Sequence, residues 1–229
     1  MNNPLIIVIG AYGSGKSEYA INLAKKYSEQ ELSVSLADLD VVNPYFRSRE
    51  VREKFKKDNI EVIAPEGSYS HADLPMLSPR IKGEIENHSK VVILDVGGDP
   101  NGCRTLGRYR EQILKRGYKM KFIVNTKRPF TSDKDGIIKM YNELEQVSKL
   151  KIDEIICNTN LLDTTTEKEV KKGIEIIDKV AQEKDVAFNK YLVLQNNQDK
   201  IPDNLTGKKR IILEYFLNKP WEMPVLKGV

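Results

Sequence analysis

Residues 5–17 of the chain read LIIVIGAYGSGKS, and this stretch decides the fold. Its first five residues are all apolar, which is the pattern of a β-strand buried on both faces of a sheet. The eight residues from Gly10 to Ser17 match the pattern G-x-x-x-x-G-K-[ST]. Beyond them, apolar residues between Ala20 and Tyr27 recur at the spacing of one helix face. The sequence therefore predicts a buried strand, a glycine-rich loop and a helix, in that order.

This order of elements predicts a loop that binds the phosphates of a nucleoside triphosphate together with Mg²⁺. Glycine allows the backbone to approach the phosphates closely, and the N–H groups at the start of a helix attract anions. We expect Lys16 to reach the β- and γ-phosphate oxygens, and Ser17 to offer its hydroxyl to Mg²⁺. The alternative is a glycine-rich turn that binds nothing. The other loop residues predicted to bind the nucleotide are Gly10, Gly13, Ser14 and Gly15.

Short apolar runs alternate with segments of helical period along the rest of the chain. This alternation predicts one α/β domain over residues 1–229, a three-layer α/β/α arrangement with a mostly parallel sheet of about seven strands. Helical spacing is clearest over residues 137–147 and 170–181. The predicted strands are Leu5–Ile9, Val34–Leu39, Glu61–Ile63, Val91–Leu94, Lys121–Val124, Glu154–Cys157 and Tyr191–Leu194.

Composition narrows the classes of protein that fit. The chain has 229 residues, 40% hydrophobic and 31% charged, and no apolar run approaches the ~18 residues that a membrane span needs. Its first residues lack the basic and apolar regions of a signal peptide, and its two cysteines are too few for a disulfide framework, so we expect a cytoplasmic protein. The net charge of +4 comes from interspersed charges, which does not favour a nucleic-acid partner.

The end of the chain predicts a last helix. Apolar residues from Ile211 to Phe216 have helical spacing, while Pro220 and Pro224 interrupt any helix beyond them. We expect this helix to pack on the core, without stable membrane association.

Acidic residues follow two of the predicted strands, where the carboxyl edge of a parallel sheet adjoins the phosphate loop. Asp95 ends one strand and precedes Val96-Gly97-Gly98. We expect Asp95 to hold the Mg²⁺ shell and the Gly98 N–H to contact the γ-phosphate. An ordinary strand-end turn is the alternative for Asp95.

The second acidic position lies at the end of the strand at 34–39. Asp38 and Asp40 lie on the same side of this strand because side chains alternate, and Asp40 is nearer the loop. We expect an acid here to orient the attacking water or to hold metal-bound water, and we favour Asp40 for this role; Asp38 is the other candidate, with a merely structural role as its alternative. The predicted catalytic residues are thus Lys16 and Asp40, and the predicted metal ligands are Ser17, Asp40 and Asp95.

These motifs, in this order and spacing, resemble the P-loop ATPases of the MinD/ParA/CobQ type, a group that includes nitrogenase iron protein and dethiobiotin synthetase. The resemblance implies ATP and Mg²⁺ as ligands, and recognition of adenine by an Asn at the end of a late strand. Asn158 matches that position, with a structural buried Asn as the alternative. The chain lacks Asn-Lys-x-Asp, which a GTPase would require there, so ATP is favoured over GTP.

One position departs from the family pattern. Many members carry a second lysine early in the loop that reaches across a nucleotide-sandwich homodimer, but this chain has Ala11 there. A homodimer of that kind would need another cation in the place of that lysine, and the candidates are Arg47, Arg49 and Lys127.

Three hypotheses follow for function. The first is an ATP-driven switch that acts on an unidentified protein or small-molecule partner, with residues 43–50 suited to contact it. The second is an ATP-dependent synthetase or kinase, whose acceptor would bind near Arg104, Arg108 and Arg110. The third is a nucleotide-binding regulator that does not hydrolyse; the presence of both Asp40 and Asp95 argues against it.

Overall fold

The computed structural model describes residues 3–40, 55, 58–63 and 78–216, and the following account concerns those residues. The described strands are β1 (Leu5–Ile9), β2 (Val34–Leu39), β3 (Ile60–Ile63), β4 (Val91–Val96), β5 (Lys119–Val124), β6 (Glu154–Cys157), β7 (Ala187–Leu194), β8 (Asn204–Leu205) and β9 (Lys208–Leu213). The described α-helices are α1 (Lys16–Ser28), α2 (Arg80–Glu86), α3 (Pro100–Arg104), α4 (Arg110–Arg116), α5 (Lys134–Ser148) and α6 (Glu167–Lys184).

The strands form one sheet in the order β3-β2-β4-β1-β5-β6-β7-β9-β8. All neighbouring pairs are parallel except β8 and β9, which are antiparallel. Strand β1 is central and pairs with β4 on one side and with β5 on the other. The loop after β1 therefore leaves the middle of the carboxyl edge, between the ends of β4 and β5.

Helices cover the sheet unequally. The buried side chains of α1 pack on one face, together with Phe55, while those of α2 to α6 pack on the other face. All five residues of β1 are buried, with at most 2% of their surface exposed. The predicted three-layer arrangement and the mostly parallel sheet are confirmed. The predicted burial of the first strand is confirmed as well.

The prediction of about seven strands is wrong, since the described sheet has nine. The two additional strands, β8 and β9, lie at one edge. The predicted helix around Ile211 is also wrong, because Lys208–Leu213 is a strand that pairs with β7. Ile211 and Leu213 pack on the α1 face and Ile212 on the opposite face, so the period is two and not 3.6.

One arginine, Arg116, forms hydrogen bonds with several backbone segments at the amino edge of the sheet. Arg116 is the last residue of α4, and its two terminal nitrogens donate hydrogen bonds of 2.7–3.1 Å to five backbone carbonyls. These carbonyls lie just before β1, just before β4 and at the end of α2. The last carbonyls of a helix have no hydrogen-bond partner within the helix, so those of α2 need one from elsewhere. The five carbonyls belong to Asn3, Glu84, Ile85, Asn87 and Lys90.

Candidate functional site

The glycine-rich loop bridges β1 and α1 in a wrapped conformation. Gly13 and Gly15 have φ angles of 73° and 85°, in the left-handed region that glycine adopts without strain. Helix α1 begins at Lys16, and both Lys16 and Ser17 are buried, with 6% and 9% of their surface exposed. The loop thus places a lysine, a hydroxyl and the unpaired N–H groups of a helix start together, which is the arrangement that binds phosphate.

Side chains from the ends of β5 and β6 hold two successive carbonyls of this loop. The Asn158 side-chain amide donates to the Ser14 carbonyl over 2.6 Å, and Arg128 Nε donates to the Gly13 carbonyl over 3.0 Å. Gly15 is so close that a Cβ there would lie 2.2 Å from Asn158 Nδ2. The predicted adenine-binding residue Asn158 therefore lies against the loop, and its amide nitrogen is occupied by the loop.

Sequence reasoning missed Arg128. Arg128 lies four residues after the end of β5, and its position next to the candidate cation Lys127 is the signal that the sequence offers. Lys127, one of the predicted substitutes for the missing lysine, instead forms an ion pair with Glu169 of α6 at 3.0 Å.

The predicted metal ligands Ser17 and Asp95 lie near each other below the loop. Asp95 is 2% exposed, and burial raises the pKa of its carboxyl to about 7. The Lys16 ammonium and the Ser17 hydroxyl act in the opposite direction and favour the carboxylate. Once ionised, a carboxylate beside a hydroxyl offers the oxygen ligands that a divalent cation prefers.

The two acids of β2 adjoin the same place. Asp38 is buried and pairs in register with Asp95 on the neighbouring strand β4. The Asp40 N–H donates to Asp38 Oδ1 over 2.9 Å, and the Asp40 carboxylate contributes to the raised pKa of Asp95. The structure thus brings Asp40 and Asp95 together at the carboxyl edge.

The turn after β4 packs directly on the phosphate loop. A Cβ on Gly98 would lie 2.9 Å from the Tyr12 backbone nitrogen. The turn is held by Asp99, whose side chain accepts a hydrogen bond of 2.6 Å from the Gly102 N–H at the start of α3. Gly97 and Gly102 are also in contact, since a Cβ on Gly102 would lie 2.6 Å from the Gly97 Cα.

A cavity of about 500 Å³ lies where β6 and β7 end. Phe216 follows Tyr215, which lines the cavity, and its N–H donates to the carboxylate of Glu18 in α1. Glu18 lies two residues after Lys16. The apolar walls and few polar groups of the cavity are the kind of lining that small-molecule ligands favour. The cavity is lined by Leu162, Asp163, Leu194, Gln195, Asn196 and Tyr215.

Other predicted residues lie away from this site or outside the described residues. Arg47, Arg49 and the loop 43–50 belong to the part of the chain that is not described. Arg104, Arg108 and Arg110 are exposed, and Arg110 Nε donates to the Lys149 carbonyl at the end of α5. Among the described residues, no helix has the length and apolarity needed to cross a bilayer.

Three buried side-chain atoms around the loop test whether the residues fit a Mg²⁺-nucleotide. Ser14 Oγ, Asp95 Oδ1 and Asn158 Oδ1 have no hydrogen-bond partner among the described residues. Buried polar atoms normally have a partner, so acceptors left open in one place fit an additional ligand. A carboxylate oxygen is a preferred Mg²⁺ ligand, and the other two atoms are neutral hydrogen-bonding groups. The residues present fit a nucleotide with its metal.

Comparison with known proteins locates the fold. The chain matches the cell division protein FtsY from Thermotoga maritima with a TM-score of 0.59 and 18% identity, over 83% of this chain and 62% of that one. Chloroplast FtsY from Physcomitrella patens gives 0.56 and 16%, over 82% and 58%. The 54 kDa signal recognition particle protein from Aeropyrum pernix, solved with GDP, gives 0.55 and 15%, over 82% and 41%.

The chain has the fold of P-loop nucleoside triphosphatases. At 15–18% identity the likeness concerns the fold alone, and the chain spans less than two thirds of the length of each of these proteins. Models of known protein families give no match to the sequence, and curated protein sequences give none either.

Proposed function

We propose that this protein binds and hydrolyses a Mg²⁺-nucleoside triphosphate at the loop Gly10–Ser17. The observation that carries the proposal is the loop itself: two left-handed glycines turn its backbone, and buried Lys16 and Ser17 begin α1. Asp95 lies beside them with an unpartnered carboxylate oxygen among the described residues. These groups are the ones that phosphoryl transfer requires for positioning and for charge stabilisation.

Each residue has a defined role in this proposal. Lys16 and the backbone N–H groups of the loop bind the phosphate oxygens, and Gly98 senses the terminal phosphate from the turn against Tyr12. Ser17 and Asp95 hold the metal, which when bound neutralises phosphate charge. Asp40 accepts a proton or hydrogen bond from the attacking water, since its carboxylate adjoins that of Asp95.

We favour ATP as the nucleotide. Asn158 Oδ1 is a buried acceptor without a partner among the described residues, and the adenine 6-amino group is a donor of the complementary kind. The second candidate is GTP. It is supported by the likeness to the Aeropyrum pernix protein solved with GDP, and by the carboxylate of Asp163 in the cavity at the ends of β6 and β7.

The proposed role is a switch of the MinD/ParA/CobQ type. Support comes from the strand-end acids Asp38 and Asp40, and from the turn at Gly98 that packs on the loop. Loss of the terminal phosphate would alter this contact, and a partner would read the change. A synthetase or kinase of the same fold is the alternative, and it would release little phosphate without an acceptor molecule.

Equilibrium binding tests the proposal. The binding of fluorescent ATP and GTP analogues is measured by anisotropy, in the presence and in the absence of Mg²⁺. We expect both analogues to bind, and unlabelled ATP to compete at least tenfold better than unlabelled GTP. Lys16→Ala should weaken binding by about ten- to a hundredfold, because it removes a charged hydrogen bond to phosphate. Wild-type protein that binds neither analogue would refute the proposal, and a preference for GTP would replace ATP by the second candidate.

Hydrolysis is tested separately by phosphate release. Asp40→Ala should lower the rate at least tenfold while the affinity for the triphosphate stays within threefold. Turnover that starts only when an acceptor carboxylate or hydroxyl compound is added would favour the synthetase over the switch.

A further inference from the structure

Arg128 lies on the outer side of the phosphate loop. We propose that Arg128 is the second cation of the phosphate site, supplied by the same chain, and that it holds the loop in its binding conformation. This inference rests on the proposed nucleotide-binding function and deepens it: the site would favour triphosphate ligands over diphosphates.

The contact between Arg128 and Gly13 is direct. Arg128 Nε donates to the Gly13 carbonyl over 3.0 Å, and a Cβ on Gly13 would lie 2.7 Å from Nε and 2.9 Å from Cζ. The guanidinium group therefore lies over the Gly13 Cα. The same peptide group is held on its other side within the loop, because the Ser14 N–H donates to the Ala11 carbonyl over 3.0 Å.

The charge of Arg128 is not neutralised by a described acid. Among the described residues, none forms an ion pair with Arg128 or accepts a hydrogen bond from its two terminal nitrogens. The preceding residue differs, since Lys127 is paired with Glu169 at 3.0 Å and faces α6. Ala11, at the position where related loops carry a second lysine, is neutral and 1% exposed. Among the described residues, Arg128 is thus a cation without an ion pair that contacts the loop directly, in addition to Lys16.

The segment that carries Arg128 is rigidly built. Asn125 is 2% exposed, and its side-chain oxygen accepts hydrogen bonds from the N–H groups of Lys127 and Asn160. Its carbonyl accepts a hydrogen bond of 2.8 Å from the Thr131 hydroxyl. A guanidinium presented from such a segment loses little additional freedom when a phosphate binds, which favours binding.

The electrostatic consequence depends on the number of phosphates. A cation beside the loop attracts a triphosphate more than a diphosphate, because the Coulomb energy scales with ligand charge. For an exposed guanidinium, which water screens, we expect an effect on affinity of about fivefold. Arginine also holds the Gly13 carbonyl in place, so part of the effect should persist at high salt.

The experiment compares two neighbouring variants. Arg128→Gln removes the positive charge and the guanidinium group. Lys127→Gln is the control, because it removes an equal charge from the neighbouring residue, which forms an ion pair with Glu169 of α6. Affinities for fluorescent ATP and ADP analogues are measured at low and high salt. In the nucleotide-free proteins, hydrogen–deuterium exchange is measured for peptides covering residues 10–16.

Arg128→Gln should weaken ATP binding about fivefold and ADP binding less, while Lys127→Gln stays within about twofold of wild type. Exchange in residues 10–16 should be faster in Arg128→Gln only. Equal affinities for wild type and Arg128→Gln, or equal losses in both variants, would overturn the inference while leaving the proposed function intact. If wild type binds no nucleotide the proposed function fails, and unchanged exchange in Arg128→Gln would then independently refute the holding role.

Discussion

Gly98 and Tyr12 are in backbone contact, although 85 residues separate them in the chain. A Cβ at position 98 would lie 2.9 Å from the Tyr12 nitrogen and 3.0 Å from its Cα. These are backbone atoms, which cannot move aside as the end of a flexible side chain could. The turn after β4 and the phosphate loop can therefore keep this packing only while residue 98 is glycine.

Gly98→Ala should impair the site without unfolding the protein. The added methyl group must push the turn away from Tyr12, so we expect affinity for a triphosphate analogue to fall at least tenfold and affinity for the diphosphate to fall less. Gly107→Ala is the matched control, because a Cβ there meets no atom within 4 Å. Equal triphosphate affinity in the two variants would show that the contact at position 98 is unimportant for binding.

The carboxyl of Asp95 should make stability depend on pH. Its pKa is about 7 in the folded chain against 3.8 for an ordinary aspartate, so the folded state binds this proton more tightly than the unfolded state does. The resulting stabilisation is complete below about pH 4 and is lost as the pH rises through 7. At about 1.4 kcal/mol for each pKa unit, the loss is at most about 4 kcal/mol.

Asp95→Asn keeps the side chain neutral at all pH values. Without nucleotide or metal, we expect this variant to be more stable than wild type at pH 8 and equally stable at pH 4, as measured by urea unfolding. Addition of Mg²⁺ and ATP should stabilise wild type but not the variant. A stability difference that does not change with pH would contradict the raised pKa of Asp95.

Gly173 of α6 packs against the segment that follows β6. A Cβ at this position would lie 1.9 Å from the Thr159 hydroxyl oxygen and 3.1 Å from that of Thr126. The two threonines are hydrogen-bonded to each other at 2.8 Å, and Thr159 follows Asn158 directly. Gly173→Ala should therefore destabilise the protein by about 1–3 kcal/mol through overpacking.

Gly83→Ala provides the opposite case within another helix, α2. A Cβ at position 83 meets nothing within 4 Å, so alanine should stabilise by up to about 1 kcal/mol through helix propensity. Chemical denaturation of both variants measures the difference. Destabilisation by Gly83→Ala, or none by Gly173→Ala, would contradict the packing described for α2 and α6.

Asn158 should affect nucleotide binding in two separable ways. Asn158→Ala removes the hydrogen bond to the Ser14 carbonyl, which weakens binding of any polyphosphate, and it removes the acceptor Oδ1, which weakens binding of ATP in particular. We expect ATP affinity to fall at least tenfold more than that of inorganic tripolyphosphate, measured by calorimetry. Equal losses for the two ligands would assign Asn158 to the loop alone.

Much of the fold is encoded in local patterns of the sequence. Leu5–Ile9, Val34–Leu39 and Glu154–Cys157 have the bounds that the sequence predicted, because parallel strands covered on both faces carry few polar residues. The sequence did not predict strand β9, because this strand carries several polar residues. It begins with Lys208, Lys209 and Arg210 near the sheet edge, so its apolar part is only three residues long and is compatible with helix or strand.

The candidate site also has a part that local sequence patterns predict and a part that they do not. The phosphate loop is a local motif, and its strand–loop–helix context was predicted from residues 5–27 alone. The contacts that hold it are not local: Asn158 to Ser14 spans 144 residues and Arg128 to Gly13 spans 115. They arise because β5 and β6 follow β1 in the sheet, an order that no single segment specifies. Asp38 and Asp95 become neighbours through β2 and β4 for the same reason.

The carbonyls gathered by Arg116 have a mechanical consequence for the whole molecule. They anchor the starts of β1 and β4 and the end of α2 to a single guanidinium, at the end of the sheet opposite the phosphate loop. The starts of β1 and β4 are therefore held at a fixed spacing at this edge of the sheet. Under the proposed function, we expect any displacement during a nucleotide cycle to be larger in the turns around Gly13 and Gly98, at the opposite edge, than at this anchored edge.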